Sequence, residues 1–241
     1  MSGKQDGDVS NPRRTAAIIP AAGEGYRMGG ARAKQFLELD GRPLLSVTLQ
    51  AFQDCRAVDA IILVAPLVDV EYCRREIVQP FRLDKVKKVV PGGKRRQDSV
   101  RLGIEATSGH YDLVLIHDGV RPFIDSEFIE GVIQEAKTHR AVITGLPAKE
   151  TVKEVNSLLR VVKTYERKRI WLVQTPQVFR YQDILRAHQK AFEEGWEEAT
   201  DDSFLIERLG IPVKVVEGSE KNIKVTTQYD LELARFLLGR D

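Results

Sequence analysis

Residues 20–38 read Pro20-Ala21-Ala22-Gly23-Glu24-Gly25-Tyr26-Arg27-Met28-Gly29-Gly30-Ala31-Arg32-Ala33-Lys34-Gln35-Phe36-Leu37-Glu38, directly after the apolar run Ala16–Ile19. Glycines let backbone N–H groups come close to phosphate oxygens, and Arg27, Arg32 and Lys34 supply positive charge. Those parts suit a triphosphate. The loop is not a dinucleotide fingerprint, because Met28 stands where the third glycine belongs. Nor does Gly92-Gly93-Lys94 make a P-loop, since Arg95 follows in place of Ser or Thr. A second basic cluster, Lys94-Arg95-Arg96, lies behind that glycine pair. Asp118 ends the run Leu113-Val114-Leu115-Ile116-His117, where a carboxylate either caps the next turn or faces a ligand. Lys224, between β-forming neighbours, reads as an edge-strand surface charge or as a site cation. Thr200-Asp201-Asp202 reads as a helix cap followed by first-turn acids rather than as a metal pair.

These groups need elements that bring them together. Candidate strands are Ala16–Ile19, Ala60–Val64, Val86–Val90, Leu113–Ile116, Ala141–Thr144 and Pro212–Val216, with helical patterns at about 44–53, 69–79, 98–107, 126–138, 181–193, 202–209 and 228–238. The last starts at Thr227 with Asp230 three residues on, a capping-box pattern. Strands alternating with helices predict an α/β fold, a single Rossmann-like domain with a mostly parallel sheet flanked by helices. In such sheets ligands sit at the carboxyl ends of the strands. Loops 20–34, 91–99 and 117–122 each follow a strand, so they should converge on one crevice. Residues 147–174 break the alternation. Thr151–Val155 and Leu158–Thr164 read as a β-hairpin turning at Asn156-Ser157, either a lid or an arm toward a partner.

The 241 residues carry a net charge of +2, too small to argue for a nucleic-acid partner, and no aromatic series interleaves with the basic clusters. Two cysteines, Cys55 and Cys73, make no disulfide framework and favour a cytoplasmic protein. No apolar stretch approaches the ~20 residues of a membrane span. Residues 1–14 are expected to be a disordered tail, and 15–241 the folded domain. The tail has no apolar core of a signal peptide, its acids argue against a transit peptide, and Ser2 excludes myristoylation.

Six spaced blocks carry a family resemblance: Gly23-x-Gly25-x-Arg27-Met28, Lys34-Gln35-Phe36-Leu37, Gly92-Gly93-x-x-Arg96-x-x-Ser99-Val100, His117-Asp118-x-x-Arg121-Pro122, Gln174-Thr175-Pro176-Gln177-x-Phe179 and Asn222-Ile223-Lys224-Val225-Thr226. Over roughly residues 15–238 the chain resembles the nucleotidyltransferases that join a nucleoside triphosphate to a phosphorylated polyol. Within them it is most similar to the 2-C-methyl-D-erythritol 4-phosphate cytidylyltransferases of the mevalonate-independent isoprenoid pathway. The resemblance implies transfer of the cytidylyl group of CTP to methylerythritol phosphate, with release of pyrophosphate and with Mg²⁺ or another divalent cation. It implies a cytoplasmic homodimer, with the hairpin at about 147–174 as its dimerisation arm. Arg27, Lys34, Arg167 and Lys224 match charged catalytic positions of the family. Pro20, Ala21, Ala22, Gly23, Gly25, Gly93 and Ser99 match its CTP-binding positions. Asp118, Arg121, Thr151, Thr175 and Thr200 match acceptor-binding positions, Asp118 being a possible metal ligand.

Two departures touch the acceptor. Gly119-Val120 stands where two alanines are frequent, and related ribitol-5-phosphate cytidylyltransferases often carry Val before Arg-Pro. Glu150 replaces a frequent aspartate. The ribitol enzyme is therefore the near alternative, and an inactive nucleotide-sensing module the distant one. Retention of Arg27, Lys34 and Lys224 argues against the latter. Short length and the Gly92–Ser99 block argue against a hexose-1-phosphate enzyme using UTP or dTTP. If the glycine-rich loop acts electrostatically, Lys34→Ala or Arg27→Ala should lower turnover at least ~100-fold without unfolding the protein, as loss of one oxyanion donor does. Steady-state pyrophosphate release checks this, and near-normal turnover in either variant removes that residue from the catalytic set.

Overall fold

The computed structural model describes residues 13–23, 33–196 and 199–239. Gly25 and Arg27 lie outside the described residues, as does residue range 1–12 of the expected tail. Arg13 and Arg14, assigned to that tail, are instead tied to the domain. Arg13 Nη1 donates to Lys137 O at 2.9 Å, and the Arg14 amide to Asp112 Oδ2 at 2.8 Å.

In chain order the strands are β1 (Thr15–Pro20), β2 (Glu38–Leu39), β3 (Arg42–Pro43), β4 (Ala60–Ala65), β5 (Val86–Pro91), β6 (Leu113–Ile116), β7 (Ala141–Pro147), β8 (Lys153–Val155), β9 (Val161–Thr164), β10 (Trp171–Arg180) and β11 (Lys214–Glu217). The helices are α1 (Leu44–Asp54), α2 (Val70–Tyr72, continuing as a π-helical turn Cys73–Val78), α3 (Arg96–Ala106), α4 (Ser126–Thr138), α5 (Tyr181–Glu193), α6 (Asp202–Arg208) and α7 (Gln228–Leu238). Seven strands form one sheet in the order β11-β7-β10-β6-β1-β4-β5. All pairings are parallel except those of β10, which runs antiparallel to both β6 and β7.

The apolar runs become strands because both faces of the sheet are covered, which removes any polar alternation. Ala17, Ile19, Leu63 and Leu115 point into a core with α1, α2 and α4. Ile18, Ile62, Val64, Val114 and Ile116 point the other way, against α3, α5 and α6. Helix α3 approaches most closely at Gly103, where an added Cβ would lie 2.5 Å from Ile18 Cγ2. A third, smaller core packs α7 on Leu39, Leu44 and Val120. Thr227 caps α7 through the expected reciprocal pair with Asp230.

From β1 the chain builds outward to β4 and β5, then returns to place β6 on the other side of β1. That reversal opens a crevice beyond the carboxyl ends of β1 and β6. The expected mostly parallel α/β sheet is therefore present, but it has one strand more than the sequence pattern predicts. Strand β10 escaped because Pro176 interrupts it, and proline cannot donate to a ladder. A register shift between Gln174 and Gln177 accommodates the proline within the sheet. The hairpin is present as β8 and β9, with Lys153 opposite Thr164. Its turn is longer than Asn156-Ser157. Asn156 Oδ1 accepts from the amides of Leu158 and Arg160, each at 3.0 Å, and closes a loop running to Arg160.

Candidate active site

The crevice holds two chambers. One, of about 670 Å³, is walled by Pro20–Gly23 after β1, by Lys34 and Gln35, by Gly93–Arg96 and Ser99 at the start of α3, and by Val120. The other, of about 450 Å³, is walled by Arg121, by Gln174, Thr175 and Gln177 of β10, and by Thr200, Ser203 and Phe204 around the start of α6. Among the described residues, three line both: Arg96, Asp118 and Lys224.

Local chemistry explains each wall. Gln35 is buried and donates Nε2 to Ala21 O at 2.8 Å, clamping the segment that starts at Lys34 onto the end of β1. Ser99 Oγ accepts from the Gly93 amide at 3.1 Å and so holds the glycine turn against α3. Gly92 is required by close approach, since a Cβ there would sit 2.2 Å from Ala22 Cβ. The N-terminal end of α3, with its partial positive charge, borders the same chamber and adds to the field of Lys34, Lys94 and Arg96. At the departure Gly119, a Cβ would meet Leu45 Cδ1 at 3.0 Å and Ala21 Cβ at 3.1 Å. Glycine relieves that crowding beside Val120.

Asp118 sits at the junction, with its side chain only 9% exposed. Its Oδ1 accepts from Arg96 Nε at 3.1 Å, and its Oδ2 lies 2.8 Å from Lys224 Nζ and 3.6 Å from Arg121 Nε. Burial works against its charge, but Arg96, Lys224 and Arg121 outweigh burial and hold the carboxyl well below the usual carboxylate range. Neither turn-capping nor a strand-edge lysine describes this pair. Lys224 reaches Asp118 from a segment that is not a strand.

Behind Asp118 runs a buried relay. The Asp118 amide donates to Thr175 Oγ1 at 3.1 Å, Thr175 Oγ1 lies 3.2 Å from His117 Nδ1, and His117 Nε2 lies 3.1 Å from Arg121 O. A carbonyl can only accept, so Nε2 carries the proton and Nδ1 accepts from the threonine hydroxyl. Burial pushes the His117 pKa down to about 4, so the ring is neutral. The antiparallel course of β10 makes the relay possible. Gln177 lies opposite Ile116, so Thr175 projects past the end of β6 to His117 and Asp118.

Arg96 has a second anchor. Its Nη1 donates to Asp202 Oδ2 at 2.8 Å, and Asp202 Oδ1 lies 3.2 Å from His188 Nε2 on α5. Asp202 and His188 are both fully buried, and Arg96 holds Asp202 ionised against the burial. The expected first-turn acid Asp202 is thus also an interior ion, and the cap of α6 is Asp201, which accepts from the Phe204 amide, not Thr200. In the sequence Arg96 stands out only as one of a basic cluster and of a motif block, with no role of its own. For Asp202 no local signal existed, because its partner lies 106 residues away.

Of the sequence-assigned residues, Pro20, Ala21, Ala22, Gly23, Lys34, Gly93 and Ser99 line the first chamber, and Arg121, Thr175 and Thr200 the second, with Asp118 and Lys224 between them. Thr151 and Arg167 line neither. Both are exposed, and Arg167 Nη1 donates to Lys149 O at 2.7 Å near the base of the hairpin.

Comparison with known proteins bears on this arrangement directly. The family model described as IspD, 2-C-methyl-D-erythritol 4-phosphate cytidylyltransferase, matches residues 15–240. The chain belongs to that family. A 2-C-methyl-D-erythritol 4-phosphate cytidylyltransferase of Syntrophus aciditrophicus is 44% identical over 228 residues, covering 95% of this chain and 97% of that protein. One from Geotalea uraniireducens is 45% identical over 227 residues, with 93% and 97% covered. Among solved structures, 4-diphosphocytidyl-2C-methyl-D-erythritol synthase from Anaerococcus prevotii superposes with a TM-score of 0.83 at 34% identity, covering 95% of this chain and all of that one. The Thermus thermophilus cytidylyltransferase gives 0.74 at 33%, with 92% and 98% covered. As a member of this family the protein is a cytidylyltransferase of isoprenoid biosynthesis. CTP and 2-C-methyl-D-erythritol 4-phosphate give 4-diphosphocytidyl-2-C-methyl-D-erythritol and pyrophosphate.

The relay has a pH signature. His117 titrates near 4 when folded against 6.5 when unfolded, so between these values the unfolded chain binds the extra proton. Stability should therefore fall as pH drops from 6.5 to 4, by about 3 kcal/mol from this group at about 1.4 kcal/mol per unit. Urea unfolding across that range checks it. His117→Gln should be less stable at pH 7 and lose about one proton's worth of slope, and an unchanged slope would assign the dependence to another group.

Proposed function

We propose that the larger chamber takes CTP and the smaller one methylerythritol phosphate, with the transferred α-phosphorus at their shared wall. One observation carries this reading: among the described residues only Arg96, Asp118 and Lys224 border both spaces, and two of them are cations. An oxygen of the acceptor phosphate attacks the α-phosphorus, a new P–O bond forms, and the bond to the β-phosphate oxygen breaks with its electron pair on pyrophosphate. The nucleophile is already an anion, so the protein needs no strong base. It must neutralise and align two anions.

Lys34, with Arg27 by family correspondence, takes the triphosphate charge. The amides of Ala21–Gly23 and of the Gly92-Gly93 turn receive the nucleotide. Ala21, Ala22, Gly93 and Ser99 leave a narrow slot suited to a pyrimidine edge. Lys224 holds the acceptor phosphate at the junction, and Arg121, Thr175 and Thr200 offer the guanidinium and hydroxyl groups that a polyol phosphate needs. A divalent cation, Mg²⁺ foremost, supplies charge neutralisation across the phosphates. Asp118 is the one carboxylate bordering the nucleotide chamber among the described residues, and three cations already surround it. The residues therefore fit an ion held mainly by phosphate oxygens and water, with Asp118 beside it.

The working unit in this reading is a homodimer. Leu158, Leu159, Val161 and Val162 on the hairpin are 57–82% exposed, and Leu172 beside it is 58% exposed, an apolar surface that a second copy would cover. Thr151 and Arg167 lie at the base of this arm and outside their own chain's chambers, which suits delivery into the partner's acceptor chamber. The two cysteines are unpaired and buried, which supports a cytoplasmic setting.

Pyrophosphate release measured with CTP and UTP, each against methylerythritol and ribitol phosphates, should be strong only for CTP with methylerythritol phosphate. Preference for ribitol phosphate would reassign the acceptor. The dimer is tested by mixing. Arg167→Ala and Lys34→Ala homodimers should each be nearly inactive, while exchanged heterodimers regain activity through one site free of both lesions. No recovery despite demonstrated exchange would place Arg167 in its own subunit's site or outside the chemistry.

A further inference from the structure

The guanidinium of Arg96 is held at two corners by carboxylates from separate elements, one in the loop after β6 and one at the start of α6. Nε donates to Asp118 at 3.1 Å and Nη1 to Asp202 at 2.8 Å, while Asp202 itself is backed by His188 at 3.2 Å. Arginine carries five N–H donors in a rigid plane. With two directions pinned, the remaining nitrogen, Nη2, has no acceptor among the described residues, although Arg96 borders both chambers. The side chain keeps 25% of its surface open there. A fork that is charged, fixed on two sides and open on the third is preorganised, so it needs no rearrangement when a second anion arrives.

We propose that Arg96 is a catalytic residue that donates from Nη2 to phosphate oxygens where the two substrates meet, and that Asp202 is the positioning residue that sets its orientation. The inference rests on the two-chamber reading above. Asp202 does not reach a substrate in this scheme. It acts by holding the plane of Arg96 against rotation toward Asp118 alone. Lysine at 96 would keep a positive charge between the two acids but is a single point donor, unable to engage both acids and a phosphate in fixed directions.

The experiment is a double-mutant cycle on kcat and KM with CTP and methylerythritol phosphate, using Arg96→Lys, Asp202→Asn and the pair, with thermal midpoints measured alongside. Arg96→Lys retains the compensating charge and Asp202→Asn the side-chain shape, which keeps the folded state measurable. Arg96→Lys should lower kcat about 100-fold, as loss of one transition-state donor does, and Asp202→Asn about tenfold, with KM for CTP changed less than kcat. In the double variant the Asp202 change should add little to the Arg96 loss, because Asp202 acts only through Arg96. Wild-type kcat in Arg96→Lys overturns the proposal. So does full multiplicity of the two losses, or an activity loss that follows only the unfolded fraction, since each makes Asp202 a structural ion. Lys224→Ala separates the two readings. If it is also fully active the two-chamber assignment has failed, whereas if it is impaired while Arg96→Lys is not, only the Arg96 role is wrong.

Discussion

An ionised carboxylate cannot remain buried unless cations and donors replace the water it gave up. Asp118 meets that condition with Arg96 from the start of α3, Arg121 from its own loop and Lys224 from the segment before α7. Satisfying one charge thus forces three separate stretches of chain to the same point. The two chambers share a wall because of it. Removal of a single partner would leave the remaining charges unbalanced in a poorly solvated place, so the junction holds together as a unit.

Around that junction the fold divides its labour between parallel and antiparallel strands. The parallel strands end in loops at one side of the sheet, and β1, β4 and β6 alone would make a nucleotide crevice of the usual kind. Strand β10 runs the other way and brings the middle of its length to the same end. It contributes Thr175 to the relay behind Asp118 and Gln177 to the start of α6, whose amide at Ser203 donates to Gln177 Oε1 at 3.2 Å. The second chamber therefore exists because one strand is reversed. A wholly parallel sheet would have placed those side chains elsewhere.

The charge balance of the site also separates it from an ordinary salt-bridge cluster. Arg96, Arg121 and Lys224 face Asp118 and Asp202, leaving one positive charge in excess at the wall, with Lys34 and Lys94 lining the first chamber beyond it. A protein with a net charge of only +2 thus gathers several of its basic side chains around one crevice. Surface pairs such as Arg74 with Glu71 are solvated and contribute little. The interior cations are held in place by the acids they neutralise, which keeps their remaining donors directed.

Sequence alone determined the apolar strands β1, β4, β6 and β7, the helices that cover them, the hairpin and the lining of the crevice by Pro20–Gly23, Lys34, Gly93 and Ser99. Each of these is a local pattern: a continuous apolar run, a 3.6-residue period, a cap, or glycines beside cations. Six ordered blocks also carry the family resemblance without any tertiary information. Tertiary structure decided what depends on distance in the chain. Pro176 hid β10, because a local reading ends a strand where the backbone N–H is lost, while the sheet absorbs the proline at a register shift. Asp202 read only as a first-turn acid because Arg96, which makes it an interior ion, is 106 residues away. Lys224 and Asp118 were each ambiguous alone and became a 2.8 Å pair only when the segment before α7 docked on the loop after β6, where the Val225 amide donates to Val120 O. Local propensity is written in neighbouring residues, whereas a buried charge is legible only with its partners, and folding alone supplies those.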